Sequence, residues 1–235
     1  MFNRDVPALA ASDSGPLLDA EVTAGAGSPE QKSWSLVRPV TLIGFSRHAH
    51  IRVQGLGVEA VHAALLNTGD AIVLTALVSR QGVYFNNQKI RARVMRSGES
   101  FLLGSCLLRL GLDRSAPRLD PARVLKLPEV VRLRMTRPAE QEWTLESVGT
   151  VIGRRPGCDV RLPSREVLPL HALLTRVGRQ VVLASLASDK PIRVNGAPTG
   201  VCPLRSGDTL TIWPVTLHMT FGREGLLPQE QAGGR

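Results

Sequence analysis

The chain contains one stretch of sequence twice, at a constant spacing of 109 residues. Residues 42–110 align with residues 151–219 without an insertion or a deletion, and roughly a quarter of the aligned positions are identical. Gly153 follows Gly44 at this spacing, and His171 follows His62. A spacing kept over so long a stretch indicates that one structural unit is used twice. Each copy must therefore fold into the same architecture.

Many of the identical positions carry residues that shape turns or fill cores. They include Gly44 and Gly153, Val58 and Val167, His62 and His171, Leu74 and Leu183, Leu77 and Leu186, and Asn86 and Asn195. Glycine and asparagine suit tight turns because they accept backbone angles that other residues avoid. We therefore predict that Gly44, His62, Asn86, Gly153 and His171 brace loops, and that neither histidine is catalytic.

Short apolar runs, separated by glycine, asparagine and polar residues, follow one another through both copies. This spacing is typical of an all-β sandwich or barrel. A chain of 235 residues with 43% apolar residues can supply two such domains with cores. We predict β domains over residues 33–112 and 129–222, joined by a proline-rich linker over residues 113–128. Residues 1–32 are expected to be a flexible arm, with room for a short strand over 17–23, and residues 223–235 a frayed tail.

The net charge of +9 comes from 25 arginines and 4 lysines against 20 acidic residues. The arginines are scattered and form neither a dense basic run nor a pattern interleaved with aromatics, which argues against a nucleic-acid partner. Two explanations stay open: a genome rich in arginine codons, or an acidic partner surface toward which a basic protein is steered. A basic component that associates with RNA or another anion in a larger complex is a further alternative.

Residues for catalysis or metal binding are not grouped in the sequence. Cys106, Cys158 and Cys202 are far apart, which indicates neither a disulfide framework nor a zinc site. His48 and His50 have no further ligands spaced to complete a metal site. No Ser-His-Asp order or P-loop occurs, so we expect no enzyme and no cofactor. No apolar run approaches the roughly 18 residues of a membrane span, so we expect a cytoplasmic protein without a membrane partner.

Five short motifs occur in order along the second copy: IGR at 152–154, CDVRL at 158–162, HA at 171–172, VNG at 194–196 and SGD at 206–208. This ordered set, with a divergent version in the first copy, resembles the forkhead-associated (FHA) domain. The resemblance implies an eleven-stranded β-sandwich with recognition loops at one end, which in typical members bind phosphothreonine peptides. In the family pattern, the phosphate and peptide contacts come from an arginine after the first glycine, a serine three residues before the histidine, and an asparagine. A phosphate with nearly two negative charges needs such charge-assisted donors.

The second copy keeps one of these three ligands. Arg154 matches the phosphate-binding arginine, whereas Leu168 stands at the serine position and Lys190 at the asparagine position. If this copy binds a phosphopeptide, the contacts are predicted to come from Arg154, Arg155, Arg165, Lys190 and Asn195. Alternatively, Arg154 is a solvated loop arginine.

The first copy keeps none of the three ligands, because Phe45, Glu59 and Gln81 replace them. A carboxylate at Glu59 would repel a phosphate. Phe45, Leu168 and Leu170 are instead candidate docking residues, since apolar clusters on loop ends mark protein interfaces. Alternatively, Leu168 and Leu170 pack into the core. The sequence thus predicts a non-catalytic adaptor or assembly subunit that binds proteins independently of phosphorylation. The alternative is a phosphothreonine-binding module in Ser/Thr kinase signalling that acts through the second copy.

Overall fold

The structure is a computed structural model that describes residues 17–24, 31–77, 80–112, 120–136, 139–186 and 190–222. The first copy contains β1 (Ala20–Ala24), β2 (Lys32–Ser35), β3 (Val40–Gly44), β4 (Ile51–Arg52), β5 (Ala63–Asn67), β6 (Ile72–Ala76), β7 (Val83–Phe85), β8 (Gln88–Ile90), β9 (Ala92–Met95), β10 (Ser100–Leu103) and β11 (Cys106–Leu112). A one-turn helix, α1 (Pro121–Val124), follows. The second copy contains β12 (Lys126–Met135), β13 (Gln141–Ser147), β14 (Thr150–Gly153), β15 (Val160–Arg161), β16 (Ala172–Val177), β17 (Gln180–Ser185), β18 (Ile192–Val194), β19 (Ala197–Thr199), β20 (Val201–Pro203), β21 (Thr209–Ile212) and β22 (Val215–Gly222). Within these ranges, no helix is long and apolar enough to cross a bilayer.

Each copy forms two sheets with the same strand order. In the first copy, the six-stranded sheet runs β2-β1-β11-β10-β7-β8 and the five-stranded sheet β4-β3-β5-β6-β9. In the second copy, the orders are β13-β12-β22-β21-β18-β19 and β15-β14-β16-β17-β20. Strands pair antiparallel, apart from β3 with β4 and β14 with β15. The predicted all-β fold of two tandem sandwiches is confirmed.

Two elements lie in the stretches predicted as an arm and a linker. β1 lies within residues 1–32, where the sequence left room for a short strand over 17–23, and it pairs along its whole length with β11. Val22 on β1 is fully buried, so this strand is part of the first core. In the predicted linker, Asp120 caps α1 by accepting the N–H of Ala122 at 3.0 Å, and β12 begins at Lys126. Residues 1–16 and 25–30 of the predicted arm, 113–119 of the linker and 223–235 of the tail lie outside the described residues.

The five-stranded sheets of the two copies pack against each other, so the central strands are buried on both faces. On β5 and β6, Leu65 and Leu74 belong to the core of the first copy. Leu66 and Val73, the alternate residues, belong to a core that is continuous with the second copy. Successive side chains on a strand point to opposite faces. The uninterrupted apolar runs AALL and IVL therefore reflect burial on two sides.

A buried ion pair also joins the two copies. Arg176 on β16 has 9% of its side chain exposed, and its Nη2 donates to both carboxylate oxygens of Asp70 at 3.0 and 2.9 Å. The Nη1 of Arg176 donates to the carbonyl of Gly178 at 2.8 Å. A buried arginine requires a matched charge. The pair therefore holds the β5–β6 turn of the first copy against the second.

Candidate functional site

The loops at one end of each sandwich are joined by the same backbone hydrogen bonds. In the second copy, the N–H of Arg154 donates to the carbonyl of Leu168 at 2.9 Å. In the first copy, the N–H of Phe45 donates to the carbonyl of Glu59 at 3.1 Å. These bonds join the β14–β15 loop to the β15–β16 loop, and the β3–β4 loop to the β4–β5 loop. The positions of the family's arginine and serine therefore lie side by side in both copies.

Gly44 and Gly153 permit this close approach of the loops. A Cβ atom at Gly44 would overlap the carbonyl oxygen of Ala60, and one at Gly153 would overlap that of Pro169. Both positions require glycine for reasons of space, because the obstructing atoms are backbone atoms that cannot shift without a large energetic cost. These contacts are those expected of residues that brace loops.

His62 and His171 connect neighbouring loops within each copy. The Nδ1 of His62 accepts the N–H of Glu59 at 3.1 Å, and its Nε2 lies 2.8 Å from the carbonyl oxygen of Gly82. The Nδ1 of His171 accepts the N–H of Leu168 at 3.1 Å, and its Nε2 lies 3.1 Å from a carbonyl oxygen of the β17–β18 loop. Because Nδ1 accepts, each ring carries its proton on Nε2 and donates it to that carbonyl. Both buried rings therefore position the loop residue at the family's serine position.

Asn86 and Asn195 lie on the β7–β8 and β18–β19 turns, where φ is 47° and 50°. The side chain of Asn195 donates to Asp208 at 2.7 Å and accepts the N–H of Thr209 at 2.9 Å. Asn195 is also at the opposite end of β18 from the loop that carries Lys190. Its polar atoms are thus used within the sandwich, away from the other predicted peptide contacts.

Three of the predicted basic residues gather around one segment of the β15–β16 loop. Arg154 is exposed, and its Nε donates to the carbonyl of Val167 at 3.1 Å. The Nζ of Lys190 donates to the carbonyl and the carboxylate of Glu166 at 2.9 and 3.2 Å. Arg165, also exposed, directly precedes Glu166. The second copy therefore keeps a basic loop end, in which Glu166 offsets part of the charge of Lys190.

Arg155 is directed toward the first copy instead. Its Nη1 lies 3.0 Å from Oε2 of Glu59, and both side chains are mostly buried. The Oε1 of Glu59 accepts the N–H of Arg80 at 2.5 Å. An open groove of about 530 Å³ borders this pair, with Gly57, Val58, Gln81 and Pro169 in its lining. At the family's serine position, the first copy thus holds a carboxylate that is bound to an arginine of the second copy.

The candidate docking residues differ in how far they are exposed. Phe45 is 51% exposed on the β3–β4 loop. Leu168 is half-buried, and Leu170 packs against the core of the second copy. The alternative of core packing therefore applies to Leu170, whereas Phe45 is open to a partner.

Sequence reasoning missed several large apolar residues that the structure leaves exposed. They are Val37, Leu56, Tyr84, Leu107 and Trp213. The alternation of apolar and polar residues predicts whether each of these residues lies in a strand or in a loop. It does not indicate which face of the strand or loop is buried. A position-by-position comparison of the two copies was the signal that could have found them.

His50 and Asp159 stand at equivalent positions and make the same contact. The Nδ1 of His50 accepts the N–H of Leu42 at 3.0 Å, and the carboxylate of Asp159 accepts the corresponding N–H of the second copy at 2.8 Å. Desolvation by burial, with a smaller effect of Arg38, lowers the pKa of His50 from 6.5 to about 4. Asp159 also pairs with Arg91 of the first copy. His50 is therefore a neutral acceptor that joins the end of the β3–β4 loop to β3.

One family model and several solved structures are similar to this chain. The model of the FHA domain family matches residues 41–104 and again residues 150–213, more than half of the chain together. A search among curated proteins finds no match. Similar solved structures include an FHA domain studied for phosphothreonine-dependent interactions, at 26% identity and a TM-score of 0.37, covering 42% of this chain and 99% of its own. EmbR of Mycobacterium tuberculosis, in complex with a low-affinity phosphopeptide, has 21% identity and a TM-score of 0.38 over 44% of this chain and 26% of its own. The FHA domain of the CT664 protein from Chlamydia trachomatis has 18% identity and a TM-score of 0.36 over 40% of this chain and 96% of its own.

Proposed function

Because this chain belongs to the FHA domain family through both of its copies, we propose that it is a non-catalytic adaptor or assembly subunit that binds its partners independently of phosphorylation. FHA domains are protein–protein interaction modules, often for phosphothreonine. The proposal keeps the interaction role and replaces the phosphate contact with docking through loop ends.

The observation that carries the proposal is the contact between Glu59 and Arg155. Glu59 stands where the family uses a serine to reach phosphate, and its carboxylate is 3.0 Å from Arg155 of the other copy. A phosphate entering this site would meet a negative charge and would compete for an arginine that is already paired. Phe45 beside it offers no charged donor. We therefore assign no phosphate binding to the first copy.

The second copy has lost two of the family's three ligands, at Leu168 and Lys190. A hydrogen bond to a charged group contributes about 1.5 to 3 kcal/mol. Each 1.4 kcal/mol is a factor of ten in affinity, so two losses would weaken phosphopeptide binding by roughly two to four decades. Lys190 is in addition partly neutralised by Glu166. These changes favour an apolar docking role for the loop ends, with Phe45 as the exposed contact.

A second candidate function is phosphothreonine binding by the second copy alone. The exposed Arg154 favours it, because its contact with Val167 orients the guanidinium in the loop end, and Arg165 is exposed nearby. If the second copy has this function, restoring the family's serine by Leu168→Ser should strengthen the binding of a phosphothreonine peptide.

The test is partner capture from the native cell, with the full chain as bait and the extract divided into phosphatase-treated and untreated halves. We expect equal recovery of the partner from both halves. Arg154→Ala, with Arg205→Ala as a matched exposed control, should leave recovery unchanged, whereas Phe45→Ser with Leu168→Ala should reduce it. A loss after phosphatase treatment, together with Arg154-dependent binding on a phosphothreonine peptide array, would refute phosphorylation independence and support the second candidate.

A further inference from the structure

Three apolar side chains form a row on the outer face of the first copy's six-stranded sheet. Leu102 on β10 pairs directly with Tyr84 on β7 and with Leu107 on β11. Direct cross-strand partners lie on the same face of a sheet. The neighbouring pairs of Leu103 with Val83 and of Phe101 with Leu108 are buried in the core, so the row faces outward. We call Tyr84, Leu102 and Leu107 the outer apolar row.

The second copy shows that the fold does not require apolar residues in this row. The same register positions there are Arg193, Thr211 and Thr216, which pair in the same way across β18, β21 and β22. Leu107 is 57% exposed and Tyr84 36% exposed. Large apolar side chains at positions where the sister sheet is polar lower solubility without adding to the core. These side chains therefore indicate a surface that a binding partner covers when the protein functions.

The outer apolar row continues toward the loop end of the first copy. Leu56, 87% exposed, accepts the N–H of Ser105 through its carbonyl at 2.9 Å, in the turn between β10 and β11. Its counterpart in the second copy is Arg165. A fourth polar-to-apolar difference between the copies thus lies near the turn that joins β10 and β11, two strands of the row.

The charges around the row are mainly positive. Lys89 on β8 pairs with Tyr84, and Arg109 lies on the same face of β11, two residues from Leu107. Glu21 faces outward on β1, where it accepts a hydrogen bond from Ser33 and pairs with Gly111, four residues beyond Leu107 on β11. A partner that covers the row therefore gains from one carboxylate at the Tyr84 end, facing Lys89, and another beside Leu107, facing Arg109.

We infer that the outer apolar row is a docking surface for an acidic amphipathic helix of a partner protein. Neighbouring strands are about 4.8 Å apart. Helix side chains at i and i+3 or i+4 are about 5 to 6 Å apart, so successive apolar residues of one helix face can meet Leu107, Leu102 and Tyr84 in turn. Acidic residues at the flanks of that helix would face Arg109 and Lys89. This inference rests on the proposed function only in taking the partner to be a protein, since it uses a different surface from the loop ends.

The experiment is a selection of random 16-residue peptides displayed on phage, with the full-length chain as target. The test variant is Tyr84→Arg/Leu102→Thr/Leu107→Thr, which installs the residues that the second copy carries at these register positions. The matched control is Trp213→Ser, which removes an exposed apolar side chain from the second copy. Circular dichroism and thermal melting establish that each variant is folded. Enriched peptides are then synthesised, and their affinities are measured by fluorescence anisotropy at low and high salt.

We expect the enriched peptides to combine apolar residues at i and i+3 or i+4 with a net negative charge. The triple variant should bind them at least tenfold more weakly, Trp213→Ser should bind them within twofold of the original chain, and added salt should weaken binding. Enrichment of neutral or basic peptides, no enrichment, or equal affinity for the triple variant would overturn the inference.

Two further measurements distinguish a helical partner from a different occupant of the row. Concentration-dependent self-association in sedimentation that the triple variant abolishes would identify a second copy of the chain as the occupant and would overturn the helix assignment. If capture of the native partner depends on Phe45 and Leu168 but not on the outer apolar row, the loop-end proposal stands and the sheet-face inference fails. If capture depends on the outer apolar row alone, the sheet-face inference stands and the loop-end proposal fails.

Discussion

Asp70→Asn should destabilise the protein strongly for a single substitution near the surface. The change keeps the shape of the side chain but removes the charge that matches Arg176. Arg176 would retain its bond to the carbonyl of Gly178, at 2.8 Å, and one bond to an amide oxygen, but its buried guanidinium would lose the matching charge and would face an NH2 donor in place of the second carboxylate oxygen. Because the pair joins the two copies, the substitution should destabilise the interface between the copies as well as β16.

The magnitude follows from the burial of the two partners. Breaking a fully buried ion pair costs about 3 to 5 kcal/mol, and an exposed pair contributes about 0 to 1 kcal/mol. Arg176 is 9% exposed and Asp70 is 37% exposed, so solvent screens one side of the pair. We expect the free energy of unfolding to fall by about 2 to 3 kcal/mol, between these limits.

The assay is urea unfolding followed by circular dichroism, with Asp70→Asn, Arg176→Met and the double variant in one cycle. The control is Glu140→Gln, which breaks the exposed pair of Arg134 with Glu140 and should leave the free energy of unfolding almost unchanged, because solvent screens both charges. A coupling energy of about 1.5 kcal/mol or more between Asp70 and Arg176 is expected. Equal destabilisation by Asp70→Asn and Glu140→Gln, or additive effects in the cycle, would refute a stabilising buried pair.

Three further variants test other parts of the structure. Thr175→Val should raise the free energy of unfolding by about 1 kcal/mol in thermal melts, because the buried Oγ1 has no hydrogen-bond partner among the described residues; a fall would mean that the hydroxyl is satisfied. Gly153→Ala should cost about 2 kcal/mol or more through backbone overlap, whereas Gly200→Ala, with open space around it, should cost less than about 0.5 kcal/mol; similar costs would contradict the loop geometry. The pKa of His50 is lowered from 6.5 to about 4, so the unfolded chain binds more protons between these values and stability is lost as the pH falls from about 6.5 toward 4. His50→Asp should flatten that loss in pH-dependent unfolding, and an unchanged profile would exclude His50 as its source.

Much of the fold was predictable because the repeat and the turn residues act locally. Asn86 specifies a tight turn that depends on a few neighbouring residues, and the same turn recurs at Asn195 in the second copy. Residues 1–32 are rich in alanine, glycine, serine and proline, so their composition predicts a flexible arm with room for only a short strand over 17–23. The register of β1 is set by β11, about ninety residues further along the chain, and no local pattern carries that information.

The candidate site was predictable only where a position could be matched to the family pattern. That comparison identified Arg154 and Glu59, but it could not show that Arg155 turns to Glu59, because the contact spans the two copies. The burial of Leu66 and Val73 against the second copy was hidden for the same reason. An apolar strand can have the same sequence whether one of its faces or both are buried.

The double burial of the five-stranded sheets has a consequence for each copy taken alone. Each copy shields an apolar sheet face of the other from water, through residues such as Leu66 and Val73. Either copy expressed alone would present that face to solvent and should aggregate. Deleting either half should therefore deprive the remaining one of its cover.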